Sequence, residues 1–214
     1  WNKNKKMLKT NTIMVKDFFE ASHKNIVIDK DRKTLLVKIA EEIVANFTDT
    51  GVNINFICTH NSRRSQLGQV WSFFAADYFN VPVNAFSGGT EVTAFHRNTV
   101  NTLTEVGFKF SIQEFSHINP KYSISFNDNK PSLLGFSKIY DNDENKKPYL
   151  VLTTCNNADK NCPFIPDAIH RFHLPYVDPK HSDKTSIQDE TYLKTSAVIA
   201  AQRYYLFQEI KRLL

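Results

Sequence analysis

Three cysteines are all that 214 residues provide, and three thiols cannot all pair. A structural disulfide framework is not expected, and in a reducing compartment so small a set is read first as catalytic, redox-active or metal-binding. Long hydrophobic runs are missing as well. No stretch approaches the roughly 20 apolar residues that cross a bilayer, so no membrane association is expected. The lysine-rich opening WNKNKKMLKT is not followed by the roughly 7 to 15 apolar residues of a signal peptide, and a cytoplasmic location is expected. The first residue is Trp1 rather than methionine, and a few further residues are expected upstream. Internal repeats and low-complexity linkers are absent. So are zinc-finger spacing, an RNP-like run and an aromatic-interleaved basic stripe, and nucleic acid is not expected as a partner. His170, His173 and His181 have no acidic or thiol companion at helical spacing, so they read as solvated loop residues and no metal is expected.

What is present suits one α/β domain with room for an extension: 41% of residues are hydrophobic and 13% aromatic. Lysine and arginine number 27 against 22 acidic residues, a net charge of +5. Such an excess concentrates anions around the molecule without choosing among them.

Periodicity orders the elements. An N-terminal extension, residues 1–50, contains TLLVKIAEEIVANF, where Leu35, Ile39, Ile43 and Val44 share one helical face. VNINFI alternates and then runs apolar, predicting a buried strand that ends at Cys58. QLGQVWSFFAADYF follows as a helix with Leu67, Val70, Phe74 and Tyr78 inward. VNAFSGG predicts a second strand and FHRNTVNTLTEVGF a second helix closed by Gly107. Residues 112–147 carry YSISF and LGFSKIYD around a polar NDNKPSL, the pattern of a β-hairpin-like insertion. PYLVLTTC predicts a third buried strand ending at Cys155, and TYLKTSAVIAAQRYYLFQEIKRLL a last helix with Tyr192, Val198, Tyr205 and Ile210 on its apolar side. Strands alternating with helices imply an α/β domain over 51–214, a parallel sheet with helices on both faces.

The stretch FICTHNSRRS places Cys58 at the end of the first strand and Arg64 six positions on, in the short loop that runs into the helix. A loop running from a strand into a helix presents backbone amides and the positive end of the helix dipole to a dianion. A cysteine opening that loop has its thiolate stabilised beneath those donors. Arg64 supplies a planar fork for two oxyanion oxygens. Ser65 can donate its hydroxyl to the thiolate, and Asn61 can pin the loop through local side-chain to backbone bonds. The competing reading is a buried structural Cys58 beside a surface arginine.

Cys58, Thr59, His60, Asn61, Ser62, Arg63, Arg64 and Ser65 resemble the oxyanion loop of the low-molecular-weight protein tyrosine phosphatase superfamily, whose pattern is Cys, any two, Asn, any two, Arg, Ser. His60 stands where glycine is usual, and Arg63 where a second cysteine is common. FSGGT at Phe86 to Thr90 resembles the segment after the family's second strand. TTCNNADKNCPFIPD, with Cys155 and Cys162 seven apart, and YVDPKHSD, with Asp178 before Pro179, resemble the redox segment and Asp-Pro acid of its thioredoxin-coupled arsenate reductases. The resemblance spans residues 52–111 and 148–214. It implies the low-molecular-weight phosphatase-like fold and a small oxyanion substrate, arsenate or a phosphate ester. It further implies Cys58 as nucleophile, Arg64 and the residues Thr59 to Arg63 as oxyanion binders, Ser65 as support and Asp178 as general acid. Cys155 and Cys162 become a relay, with thioredoxin as reductant and no tightly bound cofactor. A disulfide formed in air is expected between Cys155 and Cys162. Asn61 and Ser87 are implied as shaping a monovalent-cation site. On their residues alone, Cys155 and Cys162 also fit structural thiols and Asp178 a turn residue. The alternative function is a phosphatase acting on aryl phosphates.

Overall fold

The computed structural model describes residues 2–161 and 164–214. Two helices come first, α1 (Asn2–Asn25) and α2 (Lys30–Ala45). The Asp29 carboxylate starts α2 by accepting from Arg32 N at 2.8 Å, which satisfies an amide that no helical carbonyl can reach. Next come β1 (Val52–Cys58), α3 (Arg64–Phe79), β2 (Val83–Gly89) and α4 (Arg97–Glu105). An antiparallel trio follows: β3 (Lys109–Glu114), β4 (Lys121–Ser125) and β5 (Leu133–Gly135). β6 (Tyr149–Thr153), α5 (Asn156–Asn161), β7 (Ala168–His173), a 3-10 turn over Pro179–Ser182 and α6 (Gln188–Leu213) complete the chain.

The principal sheet has the order β2-β1-β6-β7, and all its pairings are parallel. Its two-residue period sorts side chains to opposite faces. Ile54, Phe56, Leu150 and Leu152 join the core with α3 and α6, whereas Ile57, Tyr149 and Val151 cluster with Ala158 of α5. Burial on both faces is why these strands read as apolar runs. The register sets Cys58 beside Gly89 and Ile57 beside Thr153, so the ends of β1, β2 and β6 converge at one edge. Open parallel sheets bind their ligands at that carboxyl edge.

Several expectations shift. The buried stripe of α2 is Leu36, Ile39, Ala40 and Ile43, with Leu35 and Val44 only partly covered. That of α6 runs through Tyr192, Ile199, Leu206, Phe207 and Ile210, leaving Val198 and Tyr205 at its margin. Tyr78 of α3 is likewise partly buried, because its hydroxyl turns outward to donate to Glu20 Oε1 at 2.7 Å. The hairpin expected within 112–147 gains a third strand that starts at Lys109. β6 stops at Thr153, two residues before Cys155. α1, β7 and α5, which covers the polar NNADKN stretch, are additions to the expected elements. α4 does close at Gly107, whose φ of 110° favours a residue without a side chain.

Candidate active site

β1 delivers Cys58 to the sheet's carboxyl edge, and α3 begins at Arg64. Asn61 is fully buried between them, with a left-handed φ of 46°. Its amide nitrogen donates to Ser65 Oγ at 2.9 Å, its side-chain oxygen accepts from Lys138 N at 3.0 Å, and its carbonyl accepts from Gln66 Nε2 at 3.0 Å. Asn61 therefore pins the loop, but its side-chain to backbone bond runs to an amide 77 residues away rather than to a local one. Because Asn61 takes the left-handed turn, His60 needs no glycine conformation; its imidazole lies 3.4 Å from Glu91. Gly89 is where β2 meets the loop: a Cβ there would stand 2.7 Å from Thr59 O and 2.9 Å from Asn61 N. Ser62 ties the loop outward by donating to Ala94 O at 2.7 Å.

Cys58 Sγ lies 3.0 Å from Ser65 Oγ, the contact expected of a hydroxyl supporting a thiolate. Arg64 turns back over the loop. It donates through one terminal nitrogen to Tyr176 O at 3.1 Å and through the other to Asp178 Oδ2 at 2.7 Å. Its Nε is buried and has no partner among the described residues, an uncompensated donor that costs on the order of 1 to 3 kcal/mol. Asp178 also starts the 3-10 turn, accepting from Lys180 N at 3.0 Å. Cys58, His60, Ser62, Arg63, Arg64 and Asp178 line one small pocket. The arrangement combines a thiol, a cationic fork with a spare donor, and a carboxyl group beside them.

Cys155 is 2% exposed, and its sulfur accepts from Ala158 N at 3.3 Å. The same sulfur is 3.5 Å from Thr59 Oγ1, against the residue that follows Cys58. Cys58 and Cys155 share an apolar cluster with Ile57, Tyr149, Val151, Ala158 and Ile165, and both are free thiols. Cys162 lies outside the described residues, and with it the expected pairing with Cys155. Ser87 donates to Gln66 Oε1 at 3.3 Å and Gln69 Oε1 at 2.5 Å. Gln66 thus stands between Ser87 and Asn61, whose side-chain oxygen is already taken by Lys138. Among the described residues no group of three His, Cys, Asp or Glu could hold a metal ion, and no helix is long and apolar enough to cross a membrane.

Two features escaped the sequence. Arg63, flanking the pocket, donates through Nε to Tyr192 OH at 2.7 Å and through a terminal nitrogen to Asp183 Oδ2 at 3.0 Å. Burial works against the Asp183 carboxylate, but the Tyr192 hydrogen bond and the Arg63 charge outweigh it and hold its pKa below the usual range. Burial, and then the bond to Asp183, push Tyr192 up to about 12. His96, 3.9 Å from Asp183, is lowered by burial and by Arg63. The second feature is Lys138, 3% exposed, whose ammonium lies 4.7 Å from the Phe136 ring centre. Burial lowers it to about 8. Two adjacent arginines in the motif were the available signal for the first; a lysine beside an aromatic is too common to have flagged the second.

No family model matches the chain. An arsenate reductase of Brevibacillus brevis is 31% identical over 126 residues, which cover 59% of this chain and 75% of that relative. An arsenate reductase of Staphylococcus aureus strain Newman is 31% identical over 131 residues, 61% of this chain and 80% of its own. Among solved structures, the solution structure of a low molecular weight protein tyrosine phosphatase from Bacillus subtilis superposes with a TM-score of 0.50 at 18% identity, covering 75% of this chain and 98% of that one. The last likeness is one of fold. With the loop, Asp178 and the second thiol brought together, the relatives place the chain: it belongs to the arsenate reductases, enzymes of the low-molecular-weight protein tyrosine phosphatase superfamily.

Proposed function

We propose that this protein reduces arsenate to arsenite through a thiol relay that thioredoxin recycles. The observation that carries the reading is the second thiol: Cys155 is held 3.5 Å from the hydroxyl of Thr59, in one cluster with the nucleophile. Hydrolysis of a phosphate ester needs no such group. Reduction does, because two electrons must reach arsenic.

Cys58 attacks arsenic(V) and an arsenic–oxygen bond breaks. Arg64 binds two oxygens with its Nε and one terminal nitrogen, and Asp178 gives the proton to the departing oxygen. Cys155 then attacks the sulfur of the adduct. The sulfur–arsenic bond breaks, its electron pair stays on arsenic, and arsenite leaves with a Cys58–Cys155 disulfide behind it. Cys162 attacks Cys155, releases Cys58 as a thiol, and a dithiol of thioredoxin reduces the remaining Cys155–Cys162 bond. The polar NNADKN segment between those two thiols suits transfer outward, and the net charge of +5 favours an anionic substrate.

The test is NADPH oxidation with thioredoxin and its reductase, with and without arsenate. Arsenate-dependent consumption is expected. Its absence, together with brisk hydrolysis of phenyl phosphate, would turn the reading to a phosphatase.

A further inference from the structure

The loop's two consecutive arginines hold opposite ends of one turn. Asp178 precedes the 3-10 turn Pro179–Ser182 and Asp183 follows it. Arg64 takes the first carboxylate at 2.7 Å and Arg63 the second at 3.0 Å. We propose that the two arginines have complementary roles. Arg64 changes partner when an oxyanion enters, while Arg63 keeps Asp183 and so holds the acid loop in place, a positioning residue for Asp178. The inference rests on the reading of the loop as an oxyanion site.

The two pairs differ in how firmly they are built. Arg63, Tyr192 and Asp183 form a closed cycle. Arg63 donates to both other members, and Tyr192 OH donates to Asp183 Oδ1 at 2.6 Å. Asn98 of α4 adds a bond to the same oxygen at 3.3 Å, and α6 carries Tyr192. Three segments thus converge on Asp183, and the Arg63 and Asp183 side chains are only 10% and 23% exposed. Among the described residues Asp178 has one bond from outside its own turn, that from Arg64, and its side chain is 32% exposed. A single shielded contact yields to competition more readily than a hydrogen-bonded cycle.

Competition is what an oxyanion brings. A dianion above Cys58 repels the Asp178 carboxylate and offers Arg64 a bidentate partner, using the Nε that is now unpaired. Once Arg64 lets go, Asp178 must still face the oxygen that departs. The bonds from Ser182 Oγ to Pro179 O and from Thr185 N to Ser182 O stiffen the turn from within but do not tie it to the thiolate loop. The Arg63 cycle does. A displacement of about 1 Å in a catalytic group can cost on the order of 100-fold in rate, so this tie has a kinetic consequence.

The experiment is a mutant cycle read by amide exchange at Asp183 and Thr185, whose N–H groups bond within the turn. Asp178→Asn releases Arg64 without any ion and is expected to change exchange less than twofold. Asp178→Asn combined with Asp183→Asn, or with Arg63→Met should the first fail to fold, is expected to exchange at least tenfold faster than either single variant. A double variant no faster than the singles would overturn the proposal. Inorganic phosphate, titrated into wild type by calorimetry, tests the oxyanion reading separately. Its failure to bind would remove that reading and leave the cycle to decide the tie. In steady state, Asp183→Asn is expected to lower kcat for phenyl phosphate at least tenfold and for 2,4-dinitrophenyl phosphate less than twofold, since the better leaving group needs no proton. Equal losses on both esters would mark Asp183 as merely structural.

Discussion

At the scale of single residues the proposed chemistry separates the two visible thiols. Cys58→Ser is expected to abolish both arsenate reduction and aryl phosphate hydrolysis, because a hydroxyl in place of the thiol is not ionised at neutral pH. Cys155→Ser is expected to keep ester hydrolysis within about threefold of wild type and to abolish arsenate-dependent NADPH oxidation, because the arsenic adduct on Cys58 is left without the thiol that releases arsenite. Equal loss of both activities in Cys155→Ser would make that cysteine structural. Lys138 supports a different prediction. Its backbone N–H holds Asn61, whereas its ammonium is buried and lowered to about 8 from 10.5. Between those values the unfolded chain binds a proton that the folded one has lost, so stability rises with pH across the window. Below about 8 both states are protonated and the folded state bears the whole cost, on the order of 3 kcal/mol. Lys138→Met keeps the backbone donor and removes the charge. It is expected to be more stable than wild type to urea at pH 7, with the gap narrowing from pH 8 to 10.5. A gap independent of pH would show that the ammonium is not confined as described.

At the scale of elements, what was legible follows from burial. β1, β2 and β6 are covered by helices or neighbouring strands, so their apolar residues stand out, and the change of period after Cys58 marks where α3 takes over. β7 is an edge strand whose Ile169 is 39% exposed, and with His170, Arg171 and His173 on both of its faces AIHRFH shows neither an apolar run nor a clean alternation. α1 hides for a similar reason: its sequence is rich in lysine and asparagine, and from Met14 onward only Val15, Phe19 and Ser22 of the described side chains are buried. In the site, the motif residues were legible because they are close in sequence, whereas Asp183 lies 120 residues from Arg63 and nothing local announces the pair. The close seat of α3 on β1 makes a prediction of its own. A Cβ on Gly68 would stand 2.8 Å from Phe56 Cδ1 and 3.0 Å from Cγ, and that ring also carries Arg203 with its guanidinium 5.2 Å away. Alanine would gain about 1 kcal/mol of helix propensity, against an overpacking cost of roughly 1 to 3 kcal/mol. Because Phe56 is wholly buried, overpacking is expected to win. Gly68→Ala should melt earlier and bind phosphate more weakly, since Arg64 and Ser65 start the displaced helix. A higher melting temperature would show that the ring has room to move.

At the scale of the whole molecule, the N-terminal helices form a layer over α6 and α3 that the proposed chemistry does not use directly. We propose that residues 1–50 act as a stabilising extension of the domain that follows. α1 inserts Phe19 among aromatic side chains: ring centres lie 5.7 Å from Trp71, 5.2 Å from Phe74 and 5.1 Å from Tyr204. α2 reaches farther, for Arg32 donates to Pro175 O at 2.7 Å and lies 5.4 Å from the ring centre of Tyr176, whose carbonyl holds Arg64. The first contact is packing and the second touches the acid loop, so substitutions in the two helices should have different signatures. Phe19→Ala removes a wholly buried ring and is expected to cost on the order of 3 to 5 kcal/mol. Urea unfolding followed by the fluorescence of buried Trp71 checks the magnitude. At a temperature where the variant remains folded, its phosphate affinity should stay within about twofold of wild type, because no described side chain of α1 lines the pocket. Affinity that falls in step with stability would mean that this layer governs the shape of the site as well as its survival.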